Sequence, residues 1–168
     1  MSNQSDSDPV LKHIWEKWTN LITPPDIEKA CSNNMKPLED AFEKLVGLNI
    51  QAGSLSHADA YPLGQKTGEL LAKLSRMSFM LGLEYGSLDK YHPRNDDFVA
   101  EQAEIALPLI DTACKPTDKA ISQLLGGLVV SKFMPKEKVF YVGEQTGHII
   151  LNASAQCFRL GLNYSAWV

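Results

Sequence analysis

Four histidines and three cysteines are the side chains of this chain best suited to binding a metal ion or to nucleophilic catalysis. No two of them stand at the short spacings that zinc sites use. The sequence also lacks the Glu-x-x-His pairs with which facing helices hold two metal ions. We therefore expect no metal and no cofactor. The seven residues are His13, His57, His92, His148, Cys31, Cys114 and Cys157.

Two glycine-rich segments, GQKTG at residues 64–68 and GEQTG at residues 143–147, invite comparison with a phosphate-binding loop. The required order, Gly-x-x-x-x-Gly-Lys-Ser/Thr, is absent from both. Each segment also lies within a helical pattern, whereas a phosphate loop stands between a strand and a helix. We expect no nucleotide site at either segment.

The three cysteines are odd in number and lack the tight spacing of a metal or redox motif. They predict free thiols and a cytoplasmic location, where thiols stay reduced. A packing role as small buried hydrophobic residues explains these cysteines as well as a role as reactive thiols does. An enzyme whose site is assembled from dispersed residues stays open as an alternative, and its first candidates are Cys157, His148 and Arg159.

The segment from residue 61 to residue 85 occurs a second time at residues 140–164, with a constant offset of 79 residues. Of the 52 residue pairs from 36 to 87 at this offset, 14 are identical, whereas roughly three would match by chance. The sequence therefore predicts an internal duplication. The identities in the segment are Gly64/Gly143, Thr67/Thr146, Gly68/Gly147, Ser75/Ser154, Phe79/Phe158, Leu81/Leu160, Gly82/Gly161, Leu83/Leu162 and Tyr85/Tyr164.

Both copies of this segment have the three-and-four apolar spacing of an α-helix, and their small residues follow a separate line. A glycine inside a helix costs about 1 kcal/mol relative to alanine, so this line predicts a close approach of the two helices. A loop at Gly64 and Gly143, with Thr67 and Thr146 as helix caps, is the alternative at the first glycine pair. The predicted helix-crossing residues are Gly64, Gly68, Ser75, Gly82, Gly143, Gly147, Ser154 and Gly161.

These patterns predict an all-α helical bundle made of two three-helix repeats about a pseudo-twofold axis, with about six helices. Residues 1–9 are polar and are predicted to be disordered. Residues 10–168 are predicted to form a single helical domain, with repeats at about 10–89 and 96–168. The expected helix breaks or bends are at residues 24–25, 32–34, 36–37, 62, 108 and 115–116.

The charge balance is mildly acidic, with 16 basic and 20 acidic residues and a formal net charge of −4. This balance argues against a surface that wraps nucleic acid. The sequence contains no run of 18 uncharged apolar residues, which a membrane helix would need, and its first residues lack the pattern of a secretory signal. A nucleic-acid-associated helical subunit remains an alternative that needs a local basic patch. Its candidate residues are Lys73, Arg76, Lys132, Lys136, Lys138 and Arg159.

The lack of catalytic groupings favours a non-enzymatic helical protein-protein interaction module, such as an adaptor, a chaperone-like partner or a small subunit of a larger assembly. Its partner would be another protein, with a homodimer as one case. Tryptophans are favoured interface anchors, although a double tryptophan stripe more often packs on its own core. Trp167 is expected to be packed. The predicted partner-binding residues are Trp15, Trp18, Lys73, Arg76, His148 and Arg159.

Overall fold

A computed structural model describes residues 8–168, which form five α-helices and one 3-10 turn without any strand. The helices are α1 (Pro9–Thr19), α2 (Pro24–Gln51), α3 (His57–Ser87), α4 (Asp96–Val130) and α5 (Lys136–Tyr164), followed by the turn Ser165–Trp167. The prediction of an all-α helical bundle is confirmed. Most of the segment 1–9 lies outside the described residues. Its end is helical, because Pro9 begins α1 and the Asp8 carboxylate accepts hydrogen bonds from the backbone of Val10 and Leu11.

Helices continue through five of the six expected breaks or bends, at residues 32–34, 36–37, 62, 108 and 115–116, and the described residues contain five α-helices where the sequence predicted about six. α2 continues through Pro37, and α4 continues through Pro108 and Pro116. A proline inside a helix removes one backbone hydrogen bond and costs about 3 kcal/mol. In α2 this cost is offset by one uninterrupted buried stripe. The stripe consists of Ile27, Cys31, Met35, Leu38, Phe42 and Leu45.

The long helices α3 and α5 form the centre of the bundle and run in the same direction. Ser78 hydrogen-bonds Ser154 at 2.6 Å, and the backbones meet at Gly82, one turn further along α3, and at Gly161, two turns further along α5. A Cβ atom on Gly82 would collide with the carbonyl oxygen of Phe158, and one on Gly161 would collide with that of Phe79. Both glycines therefore allow a backbone contact that any side chain would prevent.

α2 and α4 pack beside this central pair, and a buried asparagine joins them. The Asn49 side-chain amide donates to the carbonyl oxygens of Leu45 in α2 and Leu124 in α4, at 2.8 and 3.0 Å. Its amide oxygen accepts a 2.6 Å hydrogen bond from Ser54. Because every polar atom of this buried side chain has a partner, Asn49 fixes the position of α2 against α4 without an unpaired group.

α2 and α4 end in the same way. In each case a left-handed residue follows the helix, Gly53 with φ 75° and Lys132 with φ 58°. The next backbone N–H, of Ser54 or of Phe133, then bonds to a carbonyl five residues earlier, at 3.0 and 3.1 Å. This is the Schellman arrangement, which usually uses glycine at the left-handed position. The two left-handed residues are 79 positions apart in the sequence.

α1 lies on α3 and is held there by its tryptophan and lysine side chains. Trp18 Nε1 and Lys17 Nζ both donate to Glu84 Oε2, at 2.8 and 2.9 Å. Burial alone would raise the pKa of Glu84, but these two donors outweigh burial and lower it. At the other end of the chain Trp167 is 86% exposed. The expectation that Trp167 is packed is therefore wrong, because the 3-10 turn places its ring outside the core.

The crossing of α3 and α5 gives a stability prediction with a built-in control. Gly82→Ala and Gly161→Ala should each lower the free energy of unfolding by about 1–3 kcal/mol, because the new methyl group collides with the facing backbone. At Gly68 a Cβ meets nothing within 4 Å. Gly68→Ala should therefore raise the free energy by up to about 1 kcal/mol. Denaturant unfolding followed by circular dichroism measures all three, and equal effects at Gly82 and Gly68 would contradict the crossing.

The matched helix ends give a reciprocal prediction. The left-handed region costs a residue with a side chain about 1–2 kcal/mol. Ordering a glycine on folding costs about 0.5–1 kcal/mol of backbone entropy. Lys132→Gly should therefore raise the free energy of unfolding by roughly 0.5–1 kcal/mol, and Gly53→Lys should lower it by a similar amount. The same denaturant titration tests both changes. A loss of stability in Lys132→Gly would mean that the lysine side chain makes a stabilising contact.

Candidate functional site

A groove runs along the surface between α2 and α3, and we call it the α2–α3 groove. Its volume is about 440 Å³. Apolar side chains from both helices form its floor, and Gly64 and Gly68 leave part of the α3 side without side chains. The apolar lining residues are Met35, Phe42, Val46, Leu71 and Ala72. The groove is thus a mainly apolar surface channel between two helices.

Three carboxylates line the same groove, and no lysine, arginine or histidine does. Glu28, Glu39 and Glu43 lie on one side of α2, because spacings of 11 and 4 residues return to the same helix face. Glu28 forms a 2.9 Å ion pair with Arg76 of α3. Glu39 and Glu43 are exposed along the edge. The edge formed by α2 therefore carries net negative charge beside an apolar floor.

A second groove lies between α4 and α5, and we call it the α4–α5 groove. Its volume is about 600 Å³. Val129 and Phe140 form exposed apolar edges, with Phe140 68% exposed. Asp118 lines it as well, and burial followed by the charge of Asp111 raises the pKa of this carboxyl group. The other charged residues of the lining are Lys136 and Glu144.

The two grooves are lined by residues at matching positions of the chain. Several lining residues of the α4–α5 groove stand 79 positions after a lining residue of the α2–α3 groove. In one matched pair, Glu39 and Asp118, both residues are acidic. The pairs are Glu39/Asp118, Phe42/Ile121, Glu43/Ser122, Val46/Leu125, Gly64/Gly143, Gly68/Gly147 and Leu71/Ile150.

The structure divides the predicted helix-crossing residues between two places. Gly82, Gly161 and Ser154 lie in the contact between α3 and α5, and Ser75 is buried nearby with its hydroxyl bonded to the carbonyl of Ala72. The other four glycines instead line the grooves. Cβ atoms on Gly64, Gly68 and Gly147 would meet nothing within 4 Å, and one on Gly143 would lie 3.3 Å from a Leu125 methyl group.

Those four glycines also lie inside the helices rather than in loops. Ser56 caps α3 eight residues before Gly64, and its hydroxyl accepts a hydrogen bond from the backbone of Asp59. Thr67 and Thr146 are in helix interiors, where their hydroxyls donate to the carbonyls of Leu63 and Val142. The capping alternative for these threonines is therefore wrong, because each helix begins at least one turn earlier.

The predicted partner-binding residues do not form one surface. Trp18 is buried, and Trp15 is half-buried beneath the guanidinium group of Arg76. Both tryptophans thus hold α1 on the bundle. Arg159 pairs with Asp96 at 3.0 Å on the surface, and His148 is exposed on α5.

The remaining basic candidates for a nucleic-acid patch lie in two places, Lys73 in one and the other three lysines in the second. Lys73 lines a pocket between α3 and α4. Lys132, Lys136 and Lys138 are exposed in the connection after α4 and in the first turn of α5.

The three thiols lie in the core. Cys31 and Cys157 are in contact, and the hydrogen bond with Cys31 together with burial raises the pKa of the Cys157 thiol. Burial raises the pKa of Cys114 to about 12. His148 and Arg159 are exposed while Cys157 is fully buried, so the three candidates for a dispersed catalytic site are not assembled around a solvent-accessible nucleophile.

Residues 8–168 bring no three histidine, cysteine or carboxylate side chains together at metal-binding distance. Within the same range, no helix has an apolar stretch that could span a bilayer. Neither protein-family models, nor curated proteins, nor solved structures give a match to the chain.

The sequence alone did not predict either groove as a binding site. The signal for the acidic edge was present, since Glu28, Glu39 and Glu43 share a face of any continuous helix. An expected break at residues 32–34 placed Glu28 on a different helix from the other two. Only the continuity of α2 through Pro37 puts all three on one edge.

Burial of the thiols gives a reactivity prediction. An aromatic disulfide reagent at about pH 8 should modify all three cysteines at least tenfold more slowly in the folded protein than in guanidinium chloride, because the reagent cannot reach thiols that are buried in the core. Because the pKa of Cys114 is raised to about 12, its slow reaction in the folded chain should still quicken by about tenfold between pH 8 and pH 9, whereas an ordinary cysteine, with a pKa of about 8.5, should quicken only about threefold. Absorbance of the released thiolate measures the rates. Rapid labelling of one cysteine in the folded chain would restore the enzyme alternative.

Proposed function

We propose that this protein is a non-enzymatic interaction module that binds amphipathic helices of partner proteins in its two grooves. One observation carries the proposal: two apolar grooves of similar lining lie between helix pairs, and each has acidic residues at its edge. Helix-in-groove binding needs an apolar channel and a complementary edge. Acidic edges favour a partner helix whose apolar stripe is flanked by lysine or arginine.

The glycines support this occupant for a steric reason. Gly64 and Gly68 each leave a position on the groove side of α3 without a side chain, on two successive turns. Gly147 leaves one such position on α5. A groove wall without side chains lets a docked helix approach more closely, as small residues do between packed helices. Glycine is unfavourable in an exposed helix interior by about 1 kcal/mol, so its use here is explained by access to the groove.

We also propose that the chain arose by internal duplication, with a pseudo-twofold axis between α3 and α5. The support comes from features spaced 79 residues apart: the colliding positions Gly82 and Gly161, the left-handed residues Gly53 and Lys132, and the groove linings. Each repeat would then be a helix pair, α2–α3 or α4–α5. α1 stands outside the repeat, because residues 88–95 before α4 contain no helix.

The location that we propose is the cytoplasm. Three unpaired, buried cysteines support it, since an oxidising compartment favours paired cysteines and a reducing one keeps thiols free.

A designed peptide pair tests the proposed function. Each peptide has roughly 18 residues, or five helical turns, with a leucine stripe flanked by lysine in one peptide and by glutamate in the other. We expect the lysine peptide to bind up to two copies per chain, and the glutamate peptide to bind at least tenfold more weakly because its charges face the acidic edges. Isothermal titration calorimetry gives the affinity and the stoichiometry.

Groove-filling variants locate the binding. Gly68→Leu should block the α2–α3 groove and Gly147→Leu the α4–α5 groove, each removing one bound peptide, and a Cβ atom at either position meets no neighbouring atom within 4 Å. Ala100→Leu on the exposed surface of α4 is the matched control. Unchanged binding in the double groove variant would overturn the proposal. Sedimentation of the chain alone gives the other outcome: a dimer that either groove variant dissociates would assign the groove to a second copy of this chain.

A further inference from the structure

The end of α4 and the start of α5 form an exposed surface that is both apolar and basic. Val130 is 84% exposed on the α4 side, and Tyr141 is 58% exposed on the α5 side. Val129 and Phe140 line the same groove, so the two sides of this surface adjoin. Three exposed lysines lie among the apolar residues. We call this surface the α4–α5 tip, and it consists of Val130, Lys132, Phe133, Lys136, Lys138, Phe140 and Tyr141.

The lysines of the tip carry charge that no neighbour neutralises within the part of the chain that the structure describes. Among residues 8–168, no ion pair or side-chain hydrogen bond involves Lys132, Lys136 or Lys138. Glu137 is the one acidic residue between positions 130 and 141 of the sequence. With three lysines and one glutamate this segment has a formal charge of +2, in a chain whose formal net charge is −4.

The matching segment of the first half lacks this combination. It is the connection between α2 and α3, where a serine stands 79 residues before Phe133 and an aspartate stands 79 residues before Lys138. Both connections lie at the same end of the bundle, because a Cβ atom on Gly127 would meet the side chains of Asn49 and Ser54. Exposed apolar and basic residues thus occur together on one half of that end. The pairs are Gln51/Val130, Gly53/Lys132, Ser54/Phe133, His57/Lys136, Asp59/Lys138, Tyr61/Phe140 and Pro62/Tyr141.

We infer that the α4–α5 tip binds the surface of an anionic lipid bilayer, with its lysines at the headgroups and its valine and aromatic side chains in the interface. Tyrosine prefers the boundary between headgroups and acyl chains. The strength of such peripheral binding grows with the apolar area that enters the interface and with the attraction of lysines to anionic lipid. The tip supplies both contributions, and this mode of binding requires no membrane-spanning helix.

The position and the composition of the tip favour a bilayer over other partners. A partner helix needs a groove, whereas a bilayer surface can meet the end of a bundle. A single-stranded nucleic acid would use the aromatic rings and the lysines, but it would leave the exposed Val130 without a role. The cytoplasmic leaflet of cell membranes is anionic, which agrees with the location that we propose.

Vesicle flotation of the full chain tests the assignment. Vesicles of phosphatidylcholine with about one-third phosphatidylserine should bind the chain at least tenfold more strongly than vesicles of phosphatidylcholine alone, because only the former attract the lysines. Raising the salt concentration from about 0.1 M to about 0.5 M should weaken this binding, since salt screens the attraction between exposed charges.

Charge-removing variants locate the basic part of the contact. Lys132→Gly/Lys138→Gln should weaken binding to the anionic vesicles at least tenfold, because each lysine near the surface contributes separately. Lys29→Gln/Lys44→Gln, at exposed positions of α2, is the matched control with the same change in net charge. It should bind the vesicles as the unaltered chain does.

A second pair of variants locates the apolar part of the contact. Val130→Ser/Tyr141→Ser should also weaken vesicle binding at least tenfold, because less apolar surface enters the interface. Leu88→Ser/Tyr91→Ser is the matched control, since both residues are exposed in the connection after α3. All four positions are exposed, so circular dichroism should show unchanged helical content in both variants.

Three results would overturn the inference: no binding to anionic vesicles, equal binding to the two kinds of vesicle, or unchanged binding in the folded tip variants. A labelled oligouridylate that binds the chain when vesicles do not, and that Lys132→Gly/Lys138→Gln releases, would instead assign the tip to single-stranded nucleic acid.

The vesicle experiment is independent of the peptide experiment. The substituted tip residues line neither groove. The Gly68→Leu/Gly147→Leu variant should therefore bind anionic vesicles normally, and the tip variants should bind the lysine peptide normally. Either proposal can fail while the other stands.

Discussion

The backbone contact between α3 and α5 at Gly82 and Gly161 is the constraint on which the bundle depends. At this point the two helices meet without any intervening side chain, and the carbonyl oxygens of Phe79 and Phe158 occupy the places where Cβ atoms would lie. Phe158 and Leu162 of α5 and Leu81 and Leu83 of α3 are buried around it. Such a close contact is possible only with glycine, so these two residues determine the distance between the central helices and leave α2 and α4 to pack beside them.

The position of α2 and α4 then determines the surface. Asn49 joins α2 to α4 through two backbone carbonyls, which restrains sliding of these helices. The far sides of α3 and α5 meet α2 and α4 only partly, and the two grooves remain. Since Gly64, Gly68, Gly143 and Gly147 line these grooves, one glycine pattern serves two purposes: close packing at the centre of the bundle and open channels at its edges.

Charge differs between the two sides of α3. Carboxylates of α2 border the α2–α3 groove, whereas lysines of α3 and α4 line the depression between those two helices. α3 contributes to both regions, with Gly64 and Gly68 at the groove and Lys66 and Lys73 at the depression. The negative charge beside the groove therefore comes from α2 and not from α3, and the buried thiols and the histidines line neither region.

The sequence by itself determined that the chain is all-helical, and it predicted a close helix contact at Gly82 and Gly161 among eight candidate positions. Apolar spacing fixes helical character locally, and glycines retained at Gly82 and Gly161 in an otherwise apolar pattern indicate a buried contact, because nothing else offsets their cost. The tertiary structure decided where the helices end and what the other glycines do. Local rules break a helix at Pro37 or Pro116, but burial of a stripe on both sides of each proline outweighs the lost hydrogen bond. Likewise the same glycine spacing lies in a contact at Gly82 and beside an open groove at Gly68, a difference set by which helix face meets a neighbour and not by any residue nearby in the sequence.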